Sequence, residues 1–235
     1  MSYSGTSSGI TSRTASEPDL AADHLRYARS SSTLAADKLT RCACNASSHK
    51  AILIMNRMNW IIRVAQIDDI PELERLIPIS VRALQQSFYS PAQMDAALGP
   101  VFGVDYQLIG DGTYFVVEHE KQIIGCGGWS KRNALFGGRS EPLTDNTQLD
   151  PRQHSARIRA FFVHPEWARQ GIGRAILLAC ETAIQENGFH KAELVATLAG
   201  EPLYTASGFI ALERYEIELP DQLTLPVVRM AKDFV

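Results

Sequence analysis

Residues 161–174 read FFVHPEWARQGIGR, and the segment passes from an apolar run to a basic, glycine-containing turn and then to the start of a helical pattern. The apolar run 158–163 has the length and residue types of a buried strand. Pro165 ends that strand, because proline has no N–H to donate to a neighbouring strand. A basic turn with two glycines follows, and a long segment of helical apolar periodicity begins there. The order predicts a strand, a tight turn and a helix.

The start of that helix is a predicted phosphate cradle. Backbone N–H groups of a first helical turn lack partners within the helix, and the helix dipole favours an anion at this end. Gly171 and Gly173 have no Cβ, so an anion can approach the backbone closely. Arg169 and Arg174 add positive charge. The alternative interpretation is an ordinary glycine-containing turn, because two glycines at this spacing are a weak signal.

Two better-defined phosphate motifs do not fit. A Rossmann fingerprint requires a third glycine where Ile176 stands, and the lysine–hydroxyl pair of a Walker motif is absent. The segment resembles the pyrophosphate-binding motif of the GNAT superfamily of acyl-CoA N-acyltransferases, Gln/Arg-x-x-Gly-x-Gly/Ala after a strand ending in Val-x-Pro. VHP at 163–165 and GIG at 171–173 match it. Ala168 departs from the usual Gln or Arg, and Arg169 lies beside it.

A second segment strengthens the resemblance. EPLYTASGF at 201–209 is similar to a later motif of the same family, a short helix that carries a tyrosine and closes on Gly-Phe. Thr197 and Gly200 stand where that motif often has Asn and Ala. The two motifs follow each other in the family's order, so the chain from about Trp60 to Val235 is identified as a member of the superfamily.

The resemblance implies a fold and a co-substrate. The implied fold is α/β (α+β), a mixed, mostly antiparallel sheet with helices on both faces. A splay between the fourth and fifth strands, near Val163 and Ala196, would hold the pantetheine arm. Acetyl-CoA is the implied co-substrate, and no metal is expected. The expected cofactor-binding residues are Phe161, Phe162, Val163, Arg169, Gln170, Gly171, Ile172, Gly173 and Arg174.

The implied activity is transfer of an acetyl group from acetyl-CoA to a primary amine of a small molecule or peptide, by direct attack on the thioester. Tyr204 is the expected catalytic acid, because a phenol with a pKa near about 10 stays protonated at neutral pH. A packed tyrosine with a satisfied hydroxyl is the alternative. On the same fold, a non-catalytic acyl-CoA-binding sensor is the alternative function.

The general base is not evident. Many family members carry a glutamate near the position of Arg157, and no carboxylate lies between residues 155 and 163. His164, Glu118 and Glu213 are the candidates that remain.

Strand alternation places Arg157 and Arg159 on one face of this strand. Ala156, Ile158 and Ala160 lie on the other. The arginines either recognise a carboxylate or phosphate on the acceptor, or pair with acids such as Glu193.

Earlier segments leave further alternatives open. Pro78 is expected to kink or end the first helix. Residues 131–153 form either a substrate loop or a plain surface loop.

Two groups of residues each have two interpretations. Phe88, Tyr89 and Phe102 either line the acceptor pocket or pack a helix pair. Gly125, Gly127 and Gly128 mark either a bulge or the close approach of another group, a ligand included.

Composition limits the partners. The chain has 235 residues, 45% of them hydrophobic, and a net charge of −3, which suits one globular domain with an appendage. Slight acidity argues against nucleic acid, and no apolar run is long enough to cross a membrane. We expect a small-molecule amine or peptide acceptor, and the sequence leaves a homodimer open. Four cysteines without metal-site or disulfide spacing favour a cytoplasmic location.

Residues 1–57 are predicted to be a disordered, Ser-rich tail, separate from an acetyltransferase domain over 58–235. They hold too few large apolar residues to offset the entropy lost on ordering. A transit peptide is a weaker interpretation, because the segment contains several acids. Translation assigned from too early a start is another, with Met55 or Met58 as the beginning. The Cys42-x-Cys44 pair is expected to be inert.

Overall fold

The computed structural model describes residues 59–134 and 147–234. The predictions for the tail over 1–57 lie outside these residues. So does the middle of the loop over 131–153.

Seven strands of the described residues form one sheet. They are β1 (Ile61–Val64), β2 (Tyr114–His119), β3 (Gln122–Ser130), β4 (Ala156–Val163), β5 (Lys191–Thr197), β6 (Ile210–Glu218) and β7 (Thr224–Asp233). Their order across the sheet is β1-β2-β3-β4-β5-β7-β6. Among the described strand pairs, β4–β5 is parallel and the others are antiparallel. The predicted mixed, mostly antiparallel sheet is confirmed.

Within the described ranges, five α-helices lie against this sheet. They are α1 (Ile70–Leu84), α2 (Pro91–Ala97), α3 (Tyr106–Gly110), α4 (Ile172–Glu186) and α5 (Glu201–Ala206). Short 3-10 turns occupy Ile67–Asp69, Pro165–Trp167 and Pro220–Gln222. Among the described helices, none is long and apolar enough to cross a bilayer.

The two faces of the sheet carry separate cores. Apolar residues of α4 recur at helical spacing and pack with Ile158 and Leu194 on one face. On the other face, Leu73, Leu76 and Val81 of α1 pack with Phe162. The α2 and α3 helices cover the same face as α1, so helices lie on both faces as predicted.

Pro78 lies inside α1, and the helix continues past it to Leu84. The interpretation that Pro78 ends the helix was wrong. An amphipathic helix gains most of its stability from packing its apolar face, and this face is continuous from Leu73 to Val81. That packing outweighs the loss of one backbone hydrogen bond at the proline.

Candidate active site

The site begins at a bulge in β4. The register between β3 and β4 shifts between Cys126 and Gly128, and Ala160 has a left-handed φ of 60°. Ala160 consequently packs with the α1 face, whereas Ile158 packs with the α4 face. The prediction that these two residues share a face was wrong. A bulge adds one residue to the strand, so the residues after it point to the opposite faces from those that strict alternation predicts.

The glycines of β3 accommodate this bulge and its neighbours. A Cβ added to Gly127 would lie 2.6 Å from the Phe161 ring, and one added to Gly128 would lie 2.6 Å from the Thr113 carbonyl oxygen. At Gly125 the nearest atom would be Ile172 Cγ2, at 2.7 Å. A bulge and a close approach are therefore both present, and the groups that approach belong to the chain itself.

Beyond the bulge, β4 and β5 separate. Their parallel pairing covers three residues, from Ala156 to Ile158 on β4 and from Ala192 to Leu194 on β5. The N–H of Val163 donates to Ser80 Oγ of α1 at 3.2 Å instead of to β5. The predicted splay between the fourth and fifth strands is confirmed.

A cavity of about 640 Å³ occupies this opening and extends toward both faces of the sheet. Residues of β4, the turn before α4, the α5 helix, the end of α1 and strand β7 all line it. The volume is in the range of small-molecule and cofactor sites.

The predicted cradle lies at one end of this cavity. Gly171 is the N-cap of α4 and has a φ of 89°, a conformation that favours glycine. Arg169 has a φ of 64°, so the turn before α4 is tightly wound. At Gly173, an added Cβ would lie 3.2 Å from Leu203 Cδ2, which leaves little room beside the first helical turn.

Seven of the nine predicted cofactor-binding residues line the cavity, and two do not. The seven are Phe161, Phe162, Val163, Arg169, Gly171, Gly173 and Arg174. The Gln170 side chain instead donates to the carbonyl oxygen of Glu166 at 2.8 Å, and Ile172 is buried in the core under α4. Either residue could still offer its backbone N–H to a bound anion, because backbone groups do not depend on where the side chain lies.

Tyr204 also lines the cavity, on α5. Its ring packs edge-on against Phe161 and Phe209, with centroid distances of 6.0 and 5.9 Å. Its hydroxyl makes no hydrogen bond within the described part of the chain, which is contrary to the interpretation of a packed tyrosine with a satisfied hydroxyl. Burial raises the pKa of Tyr204 well above its ordinary value, so the phenol stays protonated at neutral pH.

None of the three candidate bases lines the cavity. Glu118 lies on β2, where it accepts from Arg63 Nε at 2.7 Å. Glu213 is on the edge strand β6, with its carboxylate 3.5 Å from Arg229 Nη1. His164 Nδ1 accepts from the backbone N–H of Glu166 at 3.4 Å, immediately after β4.

The two arginines of β4 are both paired with acids. Arg157 Nη1 lies 2.7 Å from Glu193 Oε2, the pairing with the next strand that was one of the two interpretations. Arg159 lines the cavity, but its Nε donates to Asp105 Oδ2 at 2.6 Å, and both side chains are buried. Asp105 therefore balances the positive charge of Arg159 at the cavity wall.

Of the three aromatic residues predicted either to line the acceptor pocket or to pack a helix pair, two line the cavity and one does not. Phe88 and Phe102 line the cavity. Tyr89 does not, and its buried hydroxyl donates to the carbonyl oxygen of Pro226 at 2.7 Å and accepts from the N–H of Leu198 at 2.9 Å.

Ser80 and Asp105 were not found from the sequence. A signal existed for Ser80, since it is a polar residue among the buried apolar positions of an amphipathic helix. For Asp105 there was none, because its partner lies 54 residues away. Across the described ranges, no cluster of three or more metal-ligating side chains occurs.

Comparison with known proteins gives a consistent result. Residues 110–211 match the family model of an acetyltransferase (GNAT) domain. This match includes the bulge, the cradle and the α5 helix with Tyr204. Among curated proteins, no sequence matches the chain.

Many solved structures share the fold, and three of them are compared with this chain. A GCN5-related N-acetyltransferase from Rhodopseudomonas palustris is 15% identical, with a TM-score of 0.56 over 74% of this chain and 95% of its own. The PaiA N-acetyltransferase of Thermoplasma acidophilum, solved with coenzyme A, is 15% identical, with a TM-score of 0.53 over 75% of this chain and 100% of its own. A ribosomal-protein-alanine N-acetyltransferase from Brucella melitensis is 19% identical, with a TM-score of 0.50 over 74% of this chain and 99% of its own. At these identities the likeness is one of fold.

Proposed function

The chain belongs to the GNAT superfamily of acetyltransferases, and from this membership we propose that it transfers the acetyl group of acetyl-CoA to a primary amine of a small molecule or peptide. The observation that carries the proposal is one cavity that runs from the cradle before α4, past Tyr204, to the opposite face of the sheet. A donor and an acceptor can enter such a cavity from two sides and meet at the bulge.

The residues of the cradle suit the diphosphate of coenzyme A. The first-turn N–H groups of α4 and the side chains of Arg169 and Arg174 offer donors and positive charge at one end of the cavity. Gly171 and Gly173 keep side chains away from that turn. The pantetheine arm would then lie in the splay, where the Val163 N–H donates to the Ser80 hydroxyl and not to a neighbouring strand.

The reaction is direct attack on the thioester. A bond forms between the amine nitrogen and the acetyl carbon, and the bond from that carbon to sulfur breaks. Backbone N–H groups at the bulge are suited to polarise the thioester carbonyl. The departing thiolate takes a proton from the Tyr204 hydroxyl, and the proton lost by the new amide returns through water to the Tyr204 phenolate, so the tyrosine is protonated again after each turnover. Burial, which raises the pKa of Tyr204, also raises the proton affinity of a thiolate in the same cavity.

The alternative function is a non-catalytic acyl-CoA-binding module. It is motivated by one observation, that no Asp or Glu occurs among the described residues lining the cavity. The enzyme and the sensor differ in whether an amine drives release of the CoA thiol.

Tyr204→Phe distinguishes these functions. The substitution keeps the ring contacts with Phe161 and Phe209 and removes the hydroxyl. We expect acetyl-CoA affinity to stay within about threefold and kcat to fall by about 10²–10⁴-fold, the usual contribution of a general acid. Discontinuous assays of the free CoA thiol measure kcat, and calorimetric titration measures the affinity for acetyl-CoA. Tyr215→Phe is the matched control, because Tyr215 does not line the cavity.

Two outcomes contradict the proposal at different points. If turnover in Tyr204→Phe is undiminished, Tyr204 is not the general acid, but the proposed acetyl transfer still stands. Acetyl-CoA binding without amine-dependent CoA release, in the unmodified chain, favours the sensor.

A further inference from the structure

The part of the cavity on the α1 face is bounded almost entirely by apolar side chains. We name it the acceptor chamber and define it by Leu84, Phe88, Val101, Phe102, Leu225 and Val227. Phe102, Leu225 and Val227 are buried in the core of that face, while Phe88 is half exposed at its edge. A ligand in this chamber therefore meets apolar surface on several sides.

Among the described residues, the charged side chains that line the cavity are all arginines, and one of them is already paired with a carboxylate. The charged side chains among the described lining residues are Arg159, Arg169 and Arg174. Arg159 is paired with Asp105, and the other two belong to the cradle. An ammonium group that enters the chamber finds no carboxylate among the described lining residues, and burying an unpaired charge is costly. The chamber thus disfavours a strongly basic amine and excludes a polyamine with several charges.

Amines differ greatly in how much neutral form they offer at pH 7. An α-amino group with a pKa of about 7.8 is about one-seventh neutral, whereas a lysine side chain at about 10.4 is neutral in about one molecule in 2,500. The neutral form both attacks the thioester and enters an apolar chamber. With no base among the described lining residues, the intrinsic pKa of the substrate decides how much of it can react.

Gln85 supplies an uncharged polar contact at the same wall. It lines the cavity at the C-terminal end of α1, and its Oε1 is buried without a hydrogen-bond partner among the described residues. An N–H of a neutral amine is the kind of donor that this oxygen lacks.

We propose that the acceptor is a weakly basic amine joined to a large apolar group, of the kind presented by the α-amino group of an apolar amino-acid derivative or peptide N-terminus. This inference rests on the proposed acetyl transfer and specifies its substrate. It follows from the apolar chamber, the absence of acids among its described residues and the neutral acceptor at Gln85.

The test uses the full chain, acetyl-CoA and four acceptors. They are Phe-Gly amide, Gly-Gly amide, Nα-acetyl-lysine amide and spermidine, and products are identified by mass spectrometry. We expect kcat/KM for Phe-Gly amide to exceed that for Gly-Gly amide by about 10- to 100-fold, because the phenyl ring is buried. It should exceed that for the lysine amine by roughly 100-fold or more, following the neutral fractions.

A pH profile separates substrate basicity from a protein base. For Phe-Gly amide, kcat/KM should rise to about pH 8 and then level off, while for the lysine amine it should continue to rise toward about pH 10. If both profiles break at one shared, lower pH, the protein supplies a base and the inference is overturned.

Phe88→Ala tests the chamber itself. Phe88 is half exposed, so its loss should leave the fold intact, and a melting curve checks this. We expect kcat/KM for Phe-Gly amide to fall roughly tenfold and that for Gly-Gly amide to change little. Ile79→Ala is the matched control, an exposed apolar residue of α1 that does not line the cavity. Equal losses for both peptides would overturn the chamber's role.

Failure of the inference differs from failure of the function. If spermidine or the lysine amine is the preferred acceptor, acetyl transfer stands and the substrate class is wrong. If acetyl-CoA raises the melting temperature but none of the four amines is acetylated, the proposed transfer fails, and this inference fails with it.

Discussion

Gly171 and Gly173 have different reasons to be glycine. Gly171 adopts a left-handed φ as the N-cap of α4, which strains any residue with a Cβ. Gly173 is already helical, but a Cβ there would lie 3.2 Å from Leu203 and would project beside the cavity. The first glycine shapes the turn, and the second keeps space free next to the helix N-terminus.

Gly173→Val should abolish stabilisation by acetyl-CoA. At about 100 times its Kd, a ligand that binds only the native state contributes about 2.7 kcal/mol, seen as a higher melting temperature. The valine side chain would fill the space beside the cradle, so this shift should disappear. Gly110→Val is the control, because a Cβ at Gly110 has no neighbour within 4 Å. A shift that survives in Gly173→Val would remove the cradle assignment.

At the scale of elements, the separation of β4 and β5 is supported by contacts from α1 and from the segment after it. Ser80 of α1 accepts from the Val163 N–H on one side of the opening. On the other side, the Tyr89 hydroxyl joins Leu198, just after β5, to Pro226 of β7. Strand ends that leave a sheet have unpaired backbone groups, and these side chains satisfy three of them.

Tyr89→Phe should therefore destabilise the fold. It leaves a buried N–H at Leu198 and a carbonyl at Pro226 without their partner, which costs about 1–3 kcal/mol. Urea unfolding followed by circular dichroism measures the change. Tyr215→Phe should change stability by less than about 0.5 kcal/mol, since the Tyr215 hydroxyl bonds none of the described residues. Equal stability of the two variants would mean that water replaces the Tyr89 hydroxyl.

At the scale of the whole molecule, the site depends on both cores at once. The cradle helix α4 is held by the core on one face, and the acceptor chamber is part of the core on the other. The cavity connects them through the gap between β4 and β5.

A chain that begins at Met58 should retain fold and function. Residues 1–57 contain few large apolar residues, so they contribute little to a core. We expect the melting temperature and the acetyl-CoA affinity of the shortened chain to match those of the full chain, by calorimetry. Insolubility or lost binding would show that part of 1–57 belongs to the folded domain.

The strand, turn and helix around Gly171, the short helix that carries Tyr204 and the order of strands and helices could be predicted from sequence. Their signals are local: Pro165 ends a strand, Gly171 permits a left-handed turn, and apolar residues at helical spacing mark α4. Each of these acts on backbone conformation within a few residues. A short segment is therefore enough to specify the local conformation. The binding and catalytic roles of these residues come from the family resemblance and stay predictions.

The composition of the acceptor chamber, the bulge at Ala160 and the neutralised Arg159 were decided only by the tertiary structure. Alternation along β4 predicted the wrong face for Ala160, because the bulge depends on how β3 pairs with it. Arg159 lies 54 positions after Asp105 in the sequence, and the two side chains meet only in the folded chain. Sheet register and packing bring such distant residues together, and neither is encoded by the spacing of neighbours along the chain.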